Sequence, residues 1–232
     1  RRDGIQEYPT LVFKTPDSEN RPHLFTPYLY EQQFDVSEQH LVSSLLITTG
    51  MKQKVVYFTT GHGERDTNDP NEDSAGYGFA KRGLLGENYL VCTVNLKQIE
   101  SLPISGDGIG CGRAPAAVLV IAGPTGGFLK GERAIIEDYL MAGGRLLMLI
   151  DGPNRVDVNK MLNKWGVNIA NGAIVDLGSS STGDPRSPII QREQYNPENR
   201  ITKPLDDSFF SEAVAIEDII TRAPAGLPPN PD

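Results

Sequence analysis

Cysteine, histidine, tryptophan and positive charge are all scarce in this chain. Its 232 residues hold two Cys, three His and one Trp, and 22 basic side chains stand against 30 acidic ones. Each shortage excludes something. His23, His40 and His62 fall in an expected arm, helix and strand exit with no ligand spacing between them, so no zinc site and no other metal or cofactor is expected. A net charge of −8 without any Lys or Arg run offers no counterion-release drive toward phosphate backbones, which argues against nucleic acid as a partner. Cys92, in an expected strand, and Cys111, in a Gly-rich loop, suit one disulfide or two thiols equally. Nowhere do about 18 apolar residues run uninterrupted. The longest apolar stretches, 114–122 and 146–150, have strand lengths, so no membrane span is expected within these residues. The chain opens Arg1-Arg2-Asp3 without an initiator Met or signal-type apolar segment, as expected of an excised or processed piece.

What remains is an ordinary globular composition. Hydrophobic residues make up 38%, and the 24 glycines raise the apolar share to about 48%. Residues 1–36, punctuated by Pro9, Pro16, Pro22 and Pro27, read as an extended arm. A helix capped by Ser37 follows, with Leu41, Val42, Leu45 and Leu46 as its apolar stripe. Lys54 to Thr60 is nearly continuous apolar chain, the pattern of a strand covered on both faces, and it ends in Gly61-His62-Gly63-Glu64-Arg65. Further strands are expected at Tyr89 to Leu96, Ala117 to Ile121, Arg145 to Ile150 and Ala173 to Val175. Helices are expected at Tyr77 to Leu85, Lys130 to Met141 and Val156 to Trp165. In the second of these, Glu132, Glu137 and Asp138 form the polar side.

Strands alternating with helices need crossover connections, which makes an α/β fold with a parallel sheet and helices on both faces the economical solution. The core domain spans residues 37–176, an irregular C-terminal extension packing on it spans 177–222, and a Pro-rich linker stub occupies 223–232.

Ligands of open parallel sheets bind where strand carboxyl ends diverge. The candidate ligand-binding residues are therefore Gly61, His62, Gly63, Glu64 and Arg65 at one exit, Gly123, Pro124 and Thr125 at the next, and Asp151 at a third. An imidazole beside a carboxylate can share a proton, but His62 can equally serve a structural turn with Glu64 as a cap. No Gly-x-Ser-x-Gly elbow, complete dinucleotide fingerprint or phosphate-cradling Gly-x4-Gly-Lys-Ser/Thr loop is present. No catalytic residue is assigned. A hydrolase or amidotransferase-like enzyme using His62 and Glu64 is the alternative, and a purely structural spacer is the third reading.

The order Ser37-Glu38-Gln39-His40-Leu41, then Lys54 through Glu64, Val118 through Pro124, Tyr139 to Gly144, Leu162 to Gly166 and Val175-Asp176 resembles a known family. It is similar to the extracytoplasmic domain of auxiliary proteins of uncharacterised ABC-type transport systems, a group that includes the gliding-motility-associated component. The resemblance implies a Rossmann-like three-layer α/β/α fold, like class I glutamine amidotransferases or flavodoxin, and a relation to the GIFT domain of intraflagellar transport proteins. It implies a membrane-anchored protein whose domain lies outside the cytoplasm, periplasmic or at the cell surface, with ABC transporter membrane and ATPase subunits as partners. A glycan or peptide ligand is a further expectation, and the role expected is non-enzymatic binding. Two departures stand out. Asn199-Arg200-Ile201-Thr202 replaces the family's His-Pro-Ile-Thr, and the insert Ser105 to Ala114 lengthens a usually compact connection.

Overall fold

The structure is a computed structural model describing residues 5, 9–16, 23–25, 28–30, 33–35, 37–69, 76–106, 108, 110–150, 158–178 and 183–218. Its centre is a four-stranded sheet built from β5 (Lys54–Thr59), β6 (Tyr89–Val94), β7 (Ala116–Ala122) and β8 (Leu146–Leu149) in the order β6-β5-β7-β8. β5 pairs in parallel with β6 and β7. β8 runs the same way, since Leu119 donates to the Arg145 carbonyl and Gly123 to that of Leu149, with both partners advancing together. Helices α1 (Glu38–Thr48), α2 (Gly78–Gly86) and α3 (Lys130–Met141) alternate with its strands along the chain. The fold is thus the Rossmann-like α/β class expected, and its strand order is the opening of the flavodoxin-like doubly wound pattern. In that pattern the winding reverses between the first strand and the third, here between β5 and β7.

By contact density the chain forms two compact units. The first comprises Arg1–Thr60, Arg65–Val120 and Gly144–Leu147, and the second Gly61–Glu64, Ile121–Gly143 and Met148–Asp232.

In the first unit β5 supplies the densest burial, with Val55, Val56, Tyr57, Phe58 and Thr59 all inside. Five consecutive buried residues are what a strand covered on both faces requires. The described part of the arm forms two antiparallel pairs, β1 (Leu11–Phe13) with β2 (His23–Phe25) and β3 (Tyr28–Tyr30) with β4 (Gln33–Asp35). Ser37 caps α1 by accepting from the His40 N–H. α1 does not bury its whole apolar stripe: Val42 is 46% and Leu45 53% exposed, while Ser43 and Ser44 are buried. The cause lies in the partner. Ser43 donates to the Gly86 carbonyl at the end of α2, and Gln39 bonds to Glu87, so small hydroxyl side chains occupy the close approach.

Cys92 of β6 and Cys111 form a disulfide, with Cα atoms 5.5 Å apart, which resolves the open choice for these residues. The bond ties the Ser105 to Ala114 insert to the sheet. Tyr57 of β5 strengthens the tie, its hydroxyl accepting from the Gly112 N–H at 2.7 Å and donating to the Ala114 carbonyl at 3.2 Å.

In the second unit, α3 keeps the expected bounds, with Ile136 and Tyr139 buried. The expected Val156 to Trp165 helix is α4 (Asn159–Leu162) followed by a 3-10 turn, Asn163–Trp165, and its first two residues lie outside the described set. The strand expected at Ala173 to Val175 is instead β9 (Val167–Ala173), and it does not extend the parallel sheet. One of its edges pairs antiparallel with β12 (Val214–Asp218). Asn159 also engages its backbone, donating to the Ile169 carbonyl at 2.9 Å and accepting from the Ile169 N–H at 2.8 Å. A carboxamide can imitate a neighbouring strand in this way because it carries one donor and one acceptor at peptide-like spacing. Between β9 and β12 lies a two-stranded pair, β10 (Ile189–Ile190) with β11 (Ser208–Phe209).

The disulfide closes a loop of 19 residues in sequence separation. Replacing both cysteines by serine lowers the unfolding free energy by about 3 kcal/mol in denaturant titration. Thiol titration of the unreduced, denatured protein finds no free thiol.

Candidate functional site

Gly61 to Glu64 leave β5 while Gly123 to Thr125 leave β7, and the second unit brings these two exits together. The Thr125 and Gly126 N–H groups both donate to the His62 carbonyl, at 2.8 and 2.7 Å, and the Thr125 hydroxyl approaches the same oxygen at 3.3 Å. This close approach explains Gly63. Its φ of +75° belongs to the left-handed region, and a Cβ there would lie 2.0 Å from the Thr125 Oγ1.

The His62 side chain points inward and the residue is only 5% exposed. Nδ1 lies 3.1 Å from Oε1 of Glu64, whose other oxygen accepts from the His62 backbone N–H at 2.6 Å. On the opposite side of the ring, Nε2 stands 3.0 Å from both oxygens of Glu132. The Phe128 ring closes over the imidazole with centroids 4.3 Å apart.

Glu132 is the third position of α3 and reaches back to accept from the Leu129 N–H at 2.7 Å. A carboxylate here satisfies one of the orphan donors of a helix start and sits well in the helix dipole. The same carboxylate therefore caps α3 and anchors the β5 exit. At 3% exposure Glu132 is buried, not on the helix's solvent side as the sequence pattern indicated. Glu132 and Phe128 are the residues that sequence reasoning missed. The available signal was a glutamate three residues past a non-helical Leu129 and shortly after Gly126-Gly127, the N-terminal back-cap position.

Carboxylates only accept hydrogen bonds, so each imidazole nitrogen faces an acceptor supplied by the chain itself. Both nitrogens are then committed to the protein itself. The three side chains cannot chelate an ion together, because the carboxylates take opposite ends of the ring. Among the described residues no cluster of three or more His, Cys, Asp or Glu has the arrangement to hold a metal. The Thr125 hydroxyl faces the His62 carbonyl, not the ring.

The other candidates are placed differently. Gly123 and Pro124 are buried, whereas Gly61, Gly63, Thr125 and Gly127 are exposed. Arg65 is half-buried and belongs to the first unit. Asp151 lies outside the described residues. The exposed exit residues form a ledge of backbone and small side chains over a buried Glu64-His62-Glu132 anchor.

Glu132→Ala removes the carboxylate partner at Nε2 and the back-cap together, and is expected to cost about 2 to 4 kcal/mol, from an orphaned buried polar group and a lost cap. Gly63→Ala is expected to cost about 1 to 3 kcal/mol through left-handed strain and the Thr125 contact. Thermal and denaturant unfolding of each variant measures both losses.

Comparison with known proteins agrees with the fold. No curated protein matches the chain. The mmIFT52 N-terminal domain is structurally similar, with a TM-score of 0.50 at 16% identity, covering 72% of this chain and 69% of that one. That likeness concerns the fold and accords with the expected GIFT-type relation. The sequence pattern of the family described as "ABC-type uncharacterized transport system" matches residues 53–217, more than half of the chain. The protein therefore belongs to this family of auxiliary components of ABC-type transport systems.

Proposed function

We propose that this domain is a non-enzymatic binding module of a membrane-anchored auxiliary component of an ABC-type transport system of the gliding-motility kind. It lies outside the cytoplasm and is tethered through segments beyond these residues. The ledge of Gly61, Gly63, Thr125 and Gly127, backed by Gly123 and Pro124, is its contact surface for the transporter's membrane or ATPase-linked subunits, or for a glycan or peptide.

The observation that carries this reading is the state of the topological switch point. In doubly wound folds a ligand enters the crevice there. Here the chain's own Glu132, His62 and Glu64 fill the position, with both imidazole nitrogens committed, leaving the exposed exit backbone above them. A surface of that kind favours recognition by backbone donors and acceptors over proton transfer to a substrate. The Cys92–Cys111 disulfide supports the extracytoplasmic placement, since structural disulfides persist in oxidising compartments and are rare in the cytosol.

Gly127 supplies a clean test because a Cβ there meets nothing within 4 Å. Gly127→Arg in the full-length protein is expected to keep the wild-type melting temperature while reducing co-purification with its own transporter subunits, or glycan and peptide array binding, at least tenfold. Undiminished binding overturns the surface assignment. Turnover of ester, amide or glycoside substrates that disappears in His62→Ala would replace this reading with the enzymatic one.

A further inference from the structure

A second feature lies wholly in the first unit and is independent of the exit ledge. An open groove of about 570 Å³ runs where the start of α1 meets the end of α2. Its apolar floor is Val42 and Leu46 of α1. The same helix face continues past the groove, for Leu45 stands one turn beyond Val42 and is 53% exposed. Met51 is 52% exposed, and its Sδ accepts from the Asn88 Nδ2 at 3.6 Å, which sets a second large apolar side chain beside the groove. Val42 and Leu45 have the helical spacing of a core-facing stripe, yet α2 takes up the neighbouring Ser43 and leaves both of them exposed.

The polar border of the groove is rich in acceptors. Glu38 and Glu87 are exposed and both line it, and the partner of Glu87 is the neutral amide of Gln39, so that bond leaves its charge in place. Asn88, at a φ of +62° just past the end of α2, carries an Oδ1 that is buried without a hydrogen-bond partner. The carbonyl end of α2 adds the negative pole of that helix. Two carboxylates, an unmet carboxamide oxygen and a helix C-terminus all favour the N–H donors of a cation. From Glu38 to Leu45 the face extends about 10 Å, two turns of helix, which suits a chain segment better than a compact molecule. An apolar strip of this length edged by charge matches the helix-in-groove mode, in which side chains at i, i+3 and i+4 supply the anchors.

We propose that this groove docks an amphipathic, Lys- or Arg-bearing helix of a protein partner. The partner's apolar face covers Val42, Leu45 and Leu46, its cations pair with Glu38 and Glu87, and one N–H reaches Asn88 Oδ1.

The test uses three peptides at pH 7: a helical peptide with Leu at i, i+3 and i+4 and Lys elsewhere, the same peptide with Glu in place of every Lys, and a scrambled Leu/Lys sequence. Binding is read by calorimetry and by amide shift changes of Val42, Leu45, Leu46 and Asn88 in the full chain. The Leu/Lys helix is expected to bind at least tenfold more tightly than either control and to shift these four amides. Leu45→Gln, at an exposed helical position, is expected to keep the melting temperature and weaken that binding about tenfold. Glu38→Gln combined with Glu87→Gln, which leaves the Gln39 amide an acceptor, is expected to abolish the preference for the Lys peptide over the Glu peptide. Equal affinity for those two peptides, shift changes away from these amides, or unaltered binding in either folded variant overturns the proposal. A dimer that forms without peptide and is lost in Leu45→Gln gives the face to a second copy of the chain, and phosphatidylcholine vesicle binding lost in the same variant gives it to lipid; each result overturns the assignment to a basic helix.

Discussion

An imidazole enclosed by two carboxylates holds the central part of this structure together. His62 leaves β5, Glu132 opens α3, and Glu64 completes the turn, so one buried ring joins a strand exit, a helix start and a tight loop. Taking such groups out of water costs several kcal/mol apiece unless every donor and acceptor is matched. Here the matching is extensive but not complete, for Glu132 Oε1 is buried without a hydrogen bond. The Glu132 carboxylate also back-caps α3, Glu64 also accepts from the His62 backbone, and the His62 carbonyl takes two N–H bonds from the β7 exit. Removing one partner disturbs the others, which fixes the geometry of both exits.

That arrangement decides what the fold can be used for. A doubly wound sheet offers a crevice at the reversal of its winding, and many proteins place a cofactor or nucleophile there. This chain fills the position with its own side chains and puts glycines and a threonine outside. Rigidity at the exits lowers the ordering cost of binding, the reason preorganised surfaces bind more tightly at equal contact area. The disulfide works the same way on the other unit, pinning an insert that would otherwise be a long unsupported loop.

Much of the architecture was legible because it depends on local pattern. β5 declared itself by the nearly continuous apolar run from Lys54 to Thr60, and α3 by its apolar spacing and the glycines that end it. The family relation was legible from the strand-exit motifs for the same reason. The misses all depend on contacts far apart in sequence. The stripe on α1 looked like a core face, yet the Gly86 carbonyl selected the serines beside it. β9 began earlier than its apolar pattern indicated and left the parallel sheet, because β12 and the Asn159 carboxamide engage its backbone. Of the candidate site, the pairing of the Gly61 and Gly123 exits followed from fold logic. Glu132 did not, since an acid on an amphipathic helix is ordinarily solvated and only the 70-residue separation from His62 gives it a buried partner.

Amide hydrogen exchange at Thr125, Gly126 and Leu129 tests the central claim most directly, because these three N–H groups are the backbone donors that the His62 carbonyl and the Glu132 carboxylate hold. If the triad locks the exits, all three amides exchange orders of magnitude more slowly than the neighbouring exposed Gly127, with protection approaching that of the β5 strand. Exchange of Thr125 and Gly126 at the rate of Gly127 would contradict the account, for the exits would then be open loops and the buried imidazole would hold nothing in place.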